Sequence, residues 1–121
     1  MVGYNMGTVE SYFADIVWEK EPLSTSELIE ICKEKFNWKR TTTYTVLKRL
    51  CEGGVFKLEN STVTSLISRE DFYSAKSENF VEESFNGSLP AFIAAFAKRK
   101  KLSKKEIDEI RKMIDDYKPE E

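Results

Sequence analysis

The stretch from Ser24 to Leu50, STSELIEICKEKFNWKRTTTYTVLKRL, limits what this chain can fold into more than any other. It reads as two short amphipathic helices with a tight corner at Phe36-Asn37-Trp38. Ser24 and Glu27 form a capping box, and Leu23 with Leu28 can close as a hydrophobic staple, so the first of the two helices opens at Ser24. Its buried face is Leu28, Ile31, Cys32 and Phe36. The second helix runs from Lys39 to Glu52 and ends at Gly53-Gly54, where glycine relaxes the backbone past a helix terminus. At helical spacing Val46, Leu47 and Leu50 fall on one side, with Thr43 leaning inward. Thr41, Thr42, Tyr44, Thr45, Lys48 and Arg49 fall on the other. A face of threonine, tyrosine and cations, held by an apolar back, suits docking into a DNA major groove.

The elements around this pair give a fold class. Thr8 to Glu21 reads as a helix with Val9, Phe13, Ile16 and Val17 as its apolar stripe and Tyr12 near the edge, ended by Pro22. Past the two glycines the period changes. Val55 to Leu58 and Thr62 to Ile67 are short β-like runs, and Glu59-Asn60-Ser61 between them is a turn. Three helices followed by a hairpin is the order of a winged helix-turn-helix domain, assigned to residues 1–68. The expected class is mainly α with a small β-hairpin wing, the wing lying beside the DNA backbone or the adjacent minor groove.

Residues 69–121 read as three more helices. Ser68 caps one that runs to Phe85, with Phe72, Phe80, Val81 and Phe85 as buried candidates. Asn86-Gly87 breaks it. Ser88 opens a second helix through Ala97, with Pro90 in its first turn, where a missing N–H costs nothing. Lys98 to Lys101 follow as a basic bend. Ser103 with Glu106 is a second capping box and Leu102 with Ile107 a second staple. The last helix carries Ile107, Ile110, Met113, Ile114 and Tyr117 on one stripe. So short a segment cannot enclose such apolar faces alone. Either the helices fold back onto the winged domain, or a second copy covers them. The second arrangement is the expectation, because a helix-turn-helix protein reads a palindromic site with two copies. Phe80, Phe85, Leu89, Phe92, Phe96 and Ile110 would then form the dimer interface.

The net charge of -2 over 121 residues conceals clustering. Residues 10–34 are mostly acidic, whereas from Lys35 to Arg49 every charge is positive: Lys35, Lys39, Arg40, Lys48 and Arg49. A local basic face suffices for phosphate contacts, although a solvated helix surface would look the same by charge alone. The chain has no histidine, which removes the commonest general base and metal ligand. With no glycine-rich phosphate loop and no Cys or Ser in a nucleophile setting, no enzyme, metal or cofactor is expected. Cys32 and Cys51 read as small core residues rather than a disulfide. No apolar run spans a bilayer, and the N-terminus MVGYNMGTVE lacks a signal-peptide layout, so a cytoplasmic protein is expected. Two other readings stay open: a winged helix used only for protein interaction, and a small-molecule sensor with an aromatic cavity.

The string Trp38 to Leu50, WKRTTTYTVLKRL, resembles the recognition helix of the penicillinase repressor family, which includes methicillin-resistance and copper-responsive repressors. Trp18 falls where the family commonly has Trp. Phe85 to Leu89, FNGSL, and Leu102 to Ile110, LSKKEIDEI, are similar to its C-terminal helix junctions. The resemblance implies a homodimeric repressor on a near-palindromic double-stranded operator, often built from TACA and TGTA half-sites. It assigns DNA contacts to Thr41, Thr42, Tyr44, Thr45 and Arg49, with Lys39, Arg40 and Lys48 as added cations. In the penicillinase branch a membrane sensor-protease signals β-lactam and the repressor is cut between Asn and Phe; the aligned pair here is Ala95-Phe96. The usual Ser-Pro before the recognition helix is Lys39-Arg40 here. The wing reads Ser61-Thr62-Val63-Thr64 where the family has Arg followed by aromatics. The chain ends YKPEE, without the cysteine tail of the copper branch, so copper sensing is not expected.

Overall fold

The computed structural model describes residues 6–120. Residues 1–5 and 121, which end the two expected domains and open the N-terminal reading, lie outside the described residues. The chain divides into two compact units, one up to Asn79 and one from Phe80 onward.

The first unit is built from α1 (Thr8–Lys20), β1 (Leu23–Ser24), α2 (Thr25–Phe36), α3 (Arg40–Glu52), β2 (Phe56–Glu59), β3 (Thr62–Ser65) and the start of α4 (Arg69–Phe85). The expected helices and hairpin are present, the helices and β3 trimmed by a residue or two, while β2 is shifted by one: Val55 lies before it, and Glu59, expected in the turn, pairs with Thr62. The chain is a mainly α protein with a β-hairpin wing. Ser24 caps α2 as its spacing requires: its hydroxyl accepts from the Glu27 N–H at 3.1 Å while Glu27 Oε1 accepts from the Ser24 N–H at 3.2 Å. Gly54 ends α3 with φ +80, a conformation that a side chain would strain. The wing turns on Asn60 and Ser61, both with positive φ, between the paired residues Glu59 and Thr62. A two-residue turn of this kind matches the right-handed twist of a hairpin.

The sheet has an element that the sequence does not announce. Leu23 pairs with Val63 and Ser24 with Thr62, so β1 makes the order β1-β3-β2, all antiparallel. Two residues are too few to display a period.

Phe13, Val17, Leu28, Leu47, Leu50, Val55, Phe56, Val63 and Phe72 are the fully buried heart of the unit. Trp18 joins its parts. Its ring meets Phe56 at 5.5 Å, Phe72 at 5.7 Å and Tyr73 at 6.2 Å, and its Nε1–H donates to the Ile67 carbonyl at 2.9 Å. These contacts carry the first unit past residue 68 into α4. The Arg69–Asp15 ion pair at 2.8 Å adds a surface tie between α4 and α1. At the C-terminus of α1, the Glu21 carboxylate accepts from the Ser65 N–H at 2.8 Å and from its hydroxyl at 2.6 Å. One member of the expected α1 stripe departs: Val9 is exposed, since the period identifies a face but not where along it the core stops.

The second unit holds the end of α4, α5 (Leu89–Arg99) and α6 (Lys104–Asp116). Ser88 caps α5, and Ser103 with Glu106 forms the expected box on α6. Lys98 and Arg99, expected in a bend, continue α5 by its last turn. Phe80, Phe85 and Phe92 meet one another at 5.6–6.0 Å, and Phe96 meets Phe92 at 6.2 Å. No residue of α5 or α6 is buried.

Replacing Trp18 with Phe removes the donor to the Ile67 carbonyl and part of a ring that three aromatics touch. Stability should fall by about 1–3 kcal/mol. Urea unfolding followed by the fluorescence of Trp38, the remaining tryptophan, measures this as a lowered midpoint.

Candidate nucleic-acid interface

The corner between α2 and α3 is set by Asn37, which adopts the left-handed conformation (φ 56, ψ 36) that closes α2. Asparagine tolerates this region better than most side chains. The Asn37 N–H donates to Lys33 at 3.0 Å and the Trp38 N–H to Cys32 at 3.4 Å. Trp38 then packs at a tilt against Phe36 at 4.8 Å and stacks on Phe13 of α1 at 5.9 Å, fixing where α3 begins.

Thr43, Val46, Leu47 and Leu50 are the buried side of α3, as the spacing predicts. Thr43 is the polar member. Its hydroxyl donates to the Lys39 carbonyl at 3.4 Å, and its side chain hydrogen-bonds to the Cys32 thiol of α2. Burial pushes that thiol up to about 11, with the Thr43 bond pulling the other way, so Cys32 stays a neutral packing group.

The outward side has a centre and two flanks. Thr41, Thr45 and Lys48, at positions i, i+4 and i+7, form an exposed line opposite the buried one. Thr45 is fixed by its hydroxyl, which donates to the Thr41 carbonyl at 2.8 Å. Arg40 and half-buried Tyr44 lie on one flank, with the guanidinium 5.4 Å from the ring centroid. Thr42 and Arg49, both exposed, lie on the other. Lys39 is the N-cap residue of α3 and makes no side-chain cap bond, and the first turn holds no acidic residue. That end therefore adds Lys39 and Arg40 to the positive pole of the helix.

Arg49 is not a bare cation. Its guanidinium Nη1 lies 3.3 Å from Glu10 Oε2, and Glu10 Oε1 accepts from the Gly7 N–H at the start of α1 at 3.2 Å. One carboxylate thus caps α1 and holds the end of α3. Sequence reasoning missed this pair; Glu10 and Arg49 are 39 residues apart and no local pattern links them. On the wing, Lys57 pairs with Glu59 at 3.1 Å, leaving the hairpin without net charge from that pair.

The residues expected at a copy-to-copy interface lie in the second unit. Phe80 is 50% exposed, Leu89 49% and Phe96 47%; Ile110 is exposed, and Phe85 and Phe92 are partly so. Between α5 and α6, Ile93, Leu102, Ile107, Ile110 and Ile114 line an open apolar groove of about 270 Å³. Ala95 and Phe96 are both exposed within α5.

A helix pair with a fixed corner, an apolar-backed second helix and a three-stranded wing define a winged helix-turn-helix protein. The sequence pattern described as penicillinase repressor matches residues 6–116. The methicillin resistance regulatory protein MecI of Staphylococcus aureus strain Mu50 is 27% identical over 115 residues, covering 92% of this chain and 94% of that protein. The penicillinase repressor of Bacillus licheniformis is 25% identical over 107 residues, covering 85% and 84%. That of Staphylococcus aureus is 24% identical over 106 residues, covering 84% of each. The chain belongs to the penicillinase repressor family, whose members are winged-helix transcriptional repressors that bind DNA.

Proposed function

We propose that this chain is a homodimeric, sequence-specific repressor of genes akin to those of β-lactam resistance, reading a near-palindromic operator with α3. The observation that carries this reading is the outward face of α3: Thr41, Thr45 and Lys48 in line, flanked by Arg40 and Tyr44 and by Thr42 and Arg49, on a helix whose opposite side is buried. Such a surface offers hydroxyls and methyls to base edges and cations to phosphates. Selection of bound sequences from random duplex DNA tests it. Recovery of inverted TACA and TGTA half-sites is expected, and recovery of no preferred sequence would reject it.

Within this reading, Arg49 and Lys39 anchor phosphates while Thr42, Tyr44 and Thr45 address bases. Glu10 approaches Arg49 at Nη1, and the Arg49 side chain stays 54% exposed, so guanidinium donors are offered to a phosphate oxygen. Arg49→Ala should weaken binding to every duplex and flatten its salt dependence by roughly one phosphate per subunit. Thr45→Ala should instead relax base preference, by about 1–3 kcal/mol per lost contact. Titrations against operator and random duplexes at several salt concentrations separate the two effects.

The second copy is supported by the surplus of apolar surface in the second unit. Each half-exposed phenyl ring taken out of water contributes on the order of 1 kcal/mol. Phe96→Glu combined with Ile110→Glu should turn a sedimenting dimer into a monomer and weaken operator binding. A full-length monomer at micromolar concentration would count against the dimer.

Induction by the family's cut between Asn and Phe does not carry over to Ala95-Phe96. A pocket shaped for the Asn amide would be left with unpaired polar groups by an alanine methyl, at about 1–3 kcal/mol. The bond also lies within α5, where the Phe96 carbonyl accepts from the Lys100 N–H at 3.0 Å. Cells carrying this protein and a matching membrane sensor-protease, treated with a β-lactam, should show an uncut chain on a blot. The Ala95→Asn variant should become cleavable.

A further inference from the structure

The densest positive charge of the chain lies outside α3. Lys98, Arg99, Lys100, Lys101, Lys104 and Lys105 stand within eight residues that include no acidic one. All six are exposed, and among the described residues none of them makes an ion pair. They share one corner of the second unit: the last turn of α5, the bend after it and the first turn of α6.

Helix electrostatics account for two of the six. Lys98 and Arg99 meet the negative pole of α5. The other four meet no favourable helix pole: Lys104 and Lys105 have Asp108 and Glu109 one turn along α6, whereas Lys100 and Lys101 have no acidic residue within four positions. Lys104 and Lys105 occupy the first turn of α6, where the helix's own positive pole opposes cations. Lys100 and Lys101 add two like charges in the bend between them. The corner therefore holds a self-repulsion that the fold does not need and that a polyanion would relieve.

We propose that this corner is a second contact to duplex DNA, made to the phosphate backbone without regard to sequence. It goes beyond operator reading by α3, since it uses other residues in the other unit. Five of the six cations are lysines, flexible point charges suited to a row of phosphates rather than to the fixed geometry of a base edge. Neutralising phosphates releases condensed counterions, which makes such binding strong at low salt and lets a repressor slide along non-operator DNA. A lipid surface is the other extended polyanion to consider. Segments that lie on membranes set aromatic and aliphatic side chains among their cations. Within the run from Lys98 to Lys105 the one apolar residue is Leu102, partly buried along the α5–α6 groove, while Phe96, exposed just before that run, belongs to the face assigned above to a second copy.

The test uses the full chain with Lys98→Gln, Arg99→Gln, Lys100→Gln and Lys101→Gln together, beside a charge-preserving variant in which each Lys becomes Arg and Arg99 becomes Lys. Affinity for a random duplex of about 60 base pairs is measured by fluorescence anisotropy from about 50 to 200 mM salt. Phosphatidylglycerol vesicles serve as the second probe. The neutralised variant should lose roughly tenfold or more on random duplex at low salt, with a shallower log–log salt slope, while the charge-preserving variant keeps both. If circular dichroism shows that the fourfold change unfolds the chain, Lys100→Gln with Lys101→Gln in the bend alone gives the same reading through the slope. Equal affinities and slopes for all variants would overturn the proposal, as would loss of vesicle binding with duplex binding unchanged. Failure of operator reading would look different: the wild-type chain would prefer no selected sequence, yet its random-duplex slope would still depend on the corner.

Discussion

A single indole organises the first unit. Trp18 touches an aromatic of the sheet and two of α4, and its N–H ends on the Ile67 carbonyl in the segment that joins them. With α1 held there, Phe13 on the same helix is in place to receive Trp38. Trp38 in turn rests on Phe36, so the corner of the helix pair is defined by three rings rather than by the loop alone. The orientation of α3 is thus inherited from α1. The Glu21 carboxylate completes the arrangement by tying the end of α1 to the wing strand β3.

The second unit follows a different logic. Its helices are well specified locally, with a serine cap on α5 and a full capping box on α6. Its packing is incomplete: four phenylalanines touch one another, yet two of them remain about half exposed. A short helical segment has too little volume to surround rings of that size. Helix formation and core formation, which coincide in the first unit, are separated here.

What was legible in the sequence was local or periodic. Ser24 with Glu27 and Ser103 with Glu106 mark helix starts because both partners lie within one turn. The hairpin turn, read one residue too long at Glu59, and Gly54 announce themselves through backbone chemistry. The two sides of α3 followed from spacing, down to Thr43 facing inward. What was not legible was long-range. The Trp18 donor, the Glu21 clamp and the Arg49–Glu10 pair link residues 39 to 49 positions apart, and nothing near either partner signals the other. Strand β1 is too short for any period to appear. For α3, which residues face outward was readable while the state of their charges was not: Arg49 is exposed as expected but held by a carboxylate, and Arg40 leans over Tyr44.

The hydroxyl of Thr45 has already given its hydrogen to the Thr41 carbonyl. What remains outward is an oxygen that can only accept and a methyl group. In the major groove adenine and cytosine present amino donors and thymine presents a methyl, whereas guanine presents only the acceptors N7 and O6. A threonine in this state therefore has something to offer every base except guanine. In the proposed reading of an operator by α3, this intrahelical bond of 2.8 Å would act as a rule of exclusion rather than of choice.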